Sequence, residues 1–166
     1  MAKEKVSVYV DMLEKAGRET IALAGRIGPE KRFVQTRVGK ATPTWLLGHL
    51  AGTLDMVLLG WGFGQAPQLV EAHGTLFLPD FAQGTPPSTD AAQYPAWDDL
   101  LAHYTATLER ALEGVGAVED IELDAPPRGD VPEMMQAYFP TLGATLNQII
   151  SHDAYHRGQM AMLVSE

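Results

Sequence analysis

Between Thr141 and Val164 the side chains repeat with a helical period, and the repeat carries histidine into positions that otherwise hold aliphatic residues. Leu142, Ile149, His156 and Leu163 recur every seven residues, with Thr145, His152 and Gln159 as a companion stripe. Residues four apart share a helix face, so His152 and His156 project side by side and toward the interior. Buried imidazoles cost free energy unless they find partners. A chain of this kind is confined to helix-on-helix packing around a polar constellation that has to be satisfied.

Three further segments share the period. The spacing predicts a helix over 3–27, with Val6, Val10, Leu13, Gly17, Ala24 and Ile27 buried and Gly28-Pro29 as its stop. Thr42-Pro43 reads as an N-cap and a first-turn proline, opening a second helix to about Leu59. Trp45, Leu46, Leu47, Leu50, Leu54, Val57 and Leu58 leave it almost no polar face, so it is expected to be central. Its glycines, Gly48 and Gly52, are expected to permit close approach by a neighbour. The third helix is expected over 95–114, with Trp97, Leu101, Tyr104, Leu108, Ala111 and Val115 inward. No alternating strand pattern intervenes. The fold class is therefore all-α: a four-helix bundle with long crossover loops, one domain over 1–166. The long connections are 60–94, rich in Gly and Pro, and 116–140, where Asp130-Val131-Pro132-Glu133 reads as a capped start to a short helix. Loops of that length usually cover a site or contact a partner.

Charge and composition remove several classes of function. Twelve Lys and Arg stand against 21 Asp and Glu, a net charge of −9, with no basic cluster, so no nucleic-acid partner is expected. Cysteine is absent, which excludes disulfides, thiolate-ligated zinc and a nucleophilic thiol belonging to the chain. The N-terminal residues lack the apolar core of a signal peptide, and the apolar stretch 45–63 is interrupted by His49 and Asp55. A cytoplasmic protein with no membrane contact is expected.

His49 places a third imidazole in the second, very apolar helix. Two inward histidines on one helix facing one on another suit a divalent ion with one open coordination position, the pattern of a catalytic rather than a structural site. The competing reading is a set of hydrogen-bonded core histidines with no metal. The inward direction of the pair and the third histidine favour the metal. Gln159, on the inward stripe, and Asp153, beside His152, are candidates to orient the ligand rings; an exposed helix carboxylate is the alternative for Asp153. His73 lies in the long loop and is expected at the surface, with a lid role as the rival. His103 is expected to form a solvated pair with Asp99. Met160 and Met162 read as packing residues. A zinc-protease reading of His152-Asp153-x-x-His156 fails on two counts: Asp stands where the general-base Glu belongs, and no sheet edge is available to hold a substrate.

Three features together resemble the DinB/YfiT-like family of helical-bundle metalloproteins. They are Thr44-Trp45-Leu46-Leu47-Gly48-His49-Leu50, a gap of about a hundred residues, and His152-x-x-x-His156-Arg157-Gly158-Gln159. The resemblance spans essentially the whole chain in helix order and motif placement, and its HRGQ ending is the most specific part. It implies a ligand triad of His49, His152 and His156, a divalent transition metal (zinc or nickel) and a homodimer. It also implies a small-molecule substrate and transfer chemistry with a low-molecular-weight thiol as cosubstrate. The reacting group would be a metal-bound thiolate, or a metal-bound water in a hydrolase. A stress-associated bundle that binds metal or ligand without turnover is the third possibility. Arg157 is a substrate-binding candidate toward an anionic thiol, against an alternative role in helix-end charge pairing.

Overall fold

The computed structural model describes residues 4–35, 37–69, 73–79 and 82–164. Four helices and no strands occur among them. They are α1 (Glu4–Ala24), α2 (Pro43–Thr53), α3 (Trp97–Gly116) and α4 (Leu142–Ala161). α1 packs on α3 and α4, and α2 packs on the same two. Consecutive helices α1 and α2 thus lie across the bundle from each other, as do α3 and α4. The long links exist to make those crossings. No helix among the described residues is long and apolar enough to cross a membrane.

α1 ends earlier than its periodicity suggests. Gly28 is extended (φ −62, ψ 153) and precedes a single 3-10 turn over Pro29–Lys31, so it does not act as a left-handed cap for α1. Ile27 is nonetheless buried, because the chain beyond the helix still lies on the core. Gly17 is where α1 meets α3: a Cβ there would overlap the Leu108 side chain. The start of α1 is capped from a distant loop, with Asp120 accepting from the backbone of Val6 at 2.9 Å and Lys5 at 3.2 Å.

α2 begins as its sequence indicates, with the Thr42 side chain accepting from Trp45 N and Pro43 in the first turn. Residues 43 to 52 are all buried, which confirms its central place. The helix does not stop near Leu59. It widens at Leu54 into a π-helical stretch running to Gly62. Thr53 stands at the change and donates its hydroxyl to the His49 carbonyl at 2.7 Å, a back-bond that loosens regular helix pairing. The wider turns carry Met56, Val57 and Trp61 toward α4. Asp55, fully buried, turns the other way and accepts from the backbone of Gln68 and Leu69 and from Arg110, fastening the chain that follows the π-helix.

In α3 the inward row is Trp97, Leu100, Tyr104, Thr107, Leu108, Ala111 and Val115. Leu100 takes the place expected of Leu101, which is only half-buried. The link before α4 forms a 3-10 turn over Asp120–Asp124 and another over Glu133–Met135. The second follows Pro132 without a side-chain cap, so Asp130 does not play the capping role its position suggested. α4 opens with Thr141 accepting from Ala144 N at 3.1 Å.

Candidate metal centre

α2 and α4 face each other where His49, His152 and His156 sit, and the three imidazoles converge. The Nε2 atom of His152 lies 3.1 Å from Nε2 of His49 and 3.1 Å from Nε2 of His156. Ring centroids are 4.4 to 5.0 Å apart and the planes are steeply inclined, so the rings meet edge-on around a point instead of stacking.

Each outer ring is held from behind. His49 donates from Nδ1 to the Phe77 carbonyl at 2.9 Å, and His156 donates from Nδ1 to Gln159 Oε1 at 2.7 Å. A proton on Nδ1 leaves Nε2 as a lone pair, the form in which imidazole binds a metal. The Phe77 contact depends on Gly48, because a Cβ at that position would overlap the Phe77 ring. Trp45 completes the support for His49. Its indole stacks on the imidazole at 4.7 Å and 17°, while its Nε1 donates to the Leu76 carbonyl. The motif Trp45-x-x-Gly48-His49 is thus a single device: indole against one face, glycine to admit the loop, loop carbonyl to fix the tautomer.

Electrostatics agree with the geometry. Burial pulls the His49 pKa down to about 4 and, with the neighbouring His156 and His49 charges adding to it, the His152 pKa to about 3. His156 is also lowered, chiefly by burial, although its bond to Gln159 and the charge of Asp153 oppose the shift. At neutral pH all three rings are therefore uncharged. Two Nε2 lone pairs face a third nitrogen that can supply one hydrogen at most, and His152 Nδ1 is buried with no protein partner. A cation resolves this arrangement of donors, and the three residues could hold a metal ion.

The other sequence candidates divide. Gln159 is brought to the site. Asp153 does not bond to a ligand ring: it is 5% exposed and accepts from Thr20 Oγ1 at 2.7 Å, Tyr104 Oη at 2.6 Å and Arg157 Nη1 at 2.9 Å. It pins α4 to α1 and α3 at the level of the histidines. Burial raises its pKa against those bonds and pushes the Tyr104 phenol well above its usual value. Arg157 also bonds to the Ala16 carbonyl and pairs with Glu19 at 2.9 Å. Its guanidinium is directed at α1 and is not available to a substrate, because the Ala16 carbonyl, Glu19 and Asp153 claim its donors. His103 and His73 lie outside the cluster. His103 is surrounded by Asp55, His73 and Arg110 rather than paired with Asp99, and burial lowers its pKa. His73 meets Phe77 edge-on at 5.9 Å.

A cavity of about 370 Å³ opens from His49 and His152. The π-helical stretch supplies Met56, Val57 and Trp61, α4 supplies Gln148 and Ile149, and the long links close it with Leu78, Ala82, Met134, Met135 and Phe139. Among the described residues no carboxylate, lysine or arginine lines it.

Several of these roles escaped the sequence reading. The Phe77 carbonyl left no signal, since a backbone group on a loop has no pattern. Tyr104, Thr20 and Asp55 did leave one: each is a polar side chain on an otherwise buried row, and such groups require partners. Arg157, four residues after Asp153, could have been matched with it on the same ground.

A comparison with curated proteins yields no match. A family model described as the DinB superfamily matches residues 12–160. That span takes in most of the 166 residues and all three histidines; the chain belongs to the DinB superfamily.

Proposed function

We propose that the protein is a metal-dependent transferase that joins a low-molecular-weight thiol to a small electrophile. The observation that carries this reading is the cavity: it reaches the imidazole cluster, yet among the described residues it presents no carboxylate. A hydrolase working through activated water is best served by a general base near that water. The two buried carboxylates among the described residues, Asp153 and Asp55, are both engaged elsewhere. A thiol needs less help, because its own pKa, about 8.5, lies far below that of water. The chain has no cysteine, so the sulfur comes from the cosubstrate.

Zinc or nickel held by His49, His152 and His156 would supply Lewis acidity and lower the thiol pKa further. The protein's residues do the rest. Phe77 and Gln159 hold two rings in the metal-binding tautomer, Trp45 fixes the plane of His49, and the largely apolar cavity wall gives water few partners. In the net reaction the thiol sulfur bonds to the acceptor carbon; where the acceptor has a leaving group, that group departs with its bonding pair and the thiol proton is released, and where it has none, the acceptor takes up the proton. A homodimer in the cytoplasm belongs to the same proposal. The test is a panel of cellular thiols with a chromogenic electrophile, run with zinc- and nickel-loaded protein and with chelator-treated protein. Metal-dependent conjugation with at least one thiol supports the reading. No rate above the chelator-treated protein with any thiol overturns it, in favour of hydrolysis or of binding without turnover.

A further inference from the structure

The cavity also speaks to what the acceptor is. We infer that it is a small, uncharged, largely apolar molecule, seated against Met56, Met134 and Met135 with Gln148 as its hydrogen-bonding partner. The inference rests on the transferase reading for its chemistry, but the binding it describes can be measured without turnover.

Charge among the described residues favours a neutral acceptor. An anionic acceptor in an apolar chamber needs a cation beside it, and the arginines nearest the bundle's polar clusters are already paired. Arg157 is bound to Asp153 and Glu19, Arg110 to Asp55 and Gln65, and Arg128 to Glu122. None of them lines the cavity. The net charge of −9 adds a long-range field that repels anions. A cationic acceptor would need a carboxylate in the wall, and among the described residues none is there.

Shape and polarity point the same way. The cavity, about 370 Å³, lies in the range that suits a small organic ligand. Three methionines contribute to its lining, and their unbranched thioethers adjust to different outlines. Selection should therefore be loose for shape and strict for charge. Gln148 lies four residues before His152 and so on the same face of α4. It reaches the cavity, and its amide makes no hydrogen bond with a described residue. The Thr53 hydroxyl hydrogen is already given to the His49 carbonyl. Gln148 is thus a neutral polar group free to orient an acceptor, and the only such side chain that α4 supplies to the described lining.

A matched pair of fluorescent probes tests this: N-phenyl-1-naphthylamine and its 8-sulfonate, which share the ring system and differ by one negative charge. Titrated into the zinc-loaded full chain, the neutral probe should bind at least tenfold more tightly than the sulfonate. Gln148→Lys, at an exposed position, should shrink that ratio at least tenfold by favouring the anion. Ala82→Trp, which fills the chamber from a loop, should remove the neutral probe's binding while circular dichroism shows the helices intact. Equal or tighter binding of the sulfonate by the unaltered chain overturns the inference. So does neutral-probe binding that survives Ala82→Trp, or a probe ratio that Gln148→Lys leaves unmoved. Neutral-probe binding in a chain that conjugates no thiol would retain this inference and remove the transferase reading. Conjugation confined to anionic acceptors would do the reverse.

Discussion

Replacing Gly48 by alanine puts a methyl group where the Phe77 ring already lies. Helix propensity alone favours alanine over glycine by about 1 kcal/mol in a helix interior. Against that, overfilling a packed core costs about 1–3 kcal/mol. Phe77 is only 4% exposed and its segment is tied to α2 through its own carbonyl, so the ring cannot retreat without stretching the bond to His49, itself worth about 0.5–1.5 kcal/mol. The expected outcome is a net loss of roughly 1–3 kcal/mol in chemical denaturation of chelator-treated protein. Metal affinity should fall as well, by about 10–100-fold, because the acceptor that fixes the His49 tautomer is displaced. Gly158→Ala is the internal control. It lies in α4 with nothing within 4 Å of an added Cβ, so it should stabilise by about 1 kcal/mol and leave metal affinity unchanged. Urea titration and a competition assay with a metal-sensitive dye read both quantities. If Gly48→Ala proves as stable as the parent chain with the same metal affinity, Phe77 is not the partner that positions His49.

Three other perturbations separate the roles assigned above. Asp153→Ala leaves Arg157 and Tyr104 without their buried partner, and should cost about 3–5 kcal/mol in denaturation; a loss under 1 kcal/mol would show that the network does not join the helices. Gln159→Ala removes the acceptor behind His156 and should weaken metal binding about 10–100-fold, with little change in the stability of chelator-treated protein; unchanged affinity would remove Gln159 from the site. The third concerns pH. The folded pKa values of His49, about 4, and His152, about 3, lie below the ordinary 6.5. The unfolded chain therefore takes up protons before the folded one does. Stability of chelator-treated protein should be complete above about pH 6.5 and fall as the pH drops toward those values, by about 1.4 kcal/mol per pH unit for each histidine titrating. Urea midpoints at pH 7.5, 6 and 5 check this, and midpoints that stay level across the range would contradict the burial of neutral rings.

The helices were legible because burial imposes a period on a sequence. The inward stripe of α4 places His152, His156 and Gln159 on one side by period alone, and Thr42-Pro43 and Thr141 mark helix starts that the structure keeps. Helix ends were less visible. Nothing in Leu54–Gly62 distinguishes a π-helix from an α-helix by hydropathy, since both bury the same leucines. The widening coincides with a local back-bond from Thr53 to the His49 carbonyl and with the distant partners of buried Asp55. At the site, side chains that bear chemistry were readable, but what holds them was not. The Phe77 carbonyl has no residue-type signature; charge pairing was one reading of Arg157, but its partners Glu19 and Ala16 come from the other end of the sequence and could not be named. The cavity itself is assembled from α2, α4 and two irregular links, and no local pattern announces a shared void.

Every step of the proposed chemistry depends on the three imidazoles holding an ion. The direct measurement is elemental analysis of the purified protein beside its His152→Ala variant, each passed over the same chelating resin, with circular dichroism to confirm that the variant is folded. About one transition-metal ion per chain is expected in the parent, with most of it lost from the variant. Equal metal content in the two proteins, or none in either after incubation with zinc or nickel, would contradict a metal centre at His49, His152 and His156.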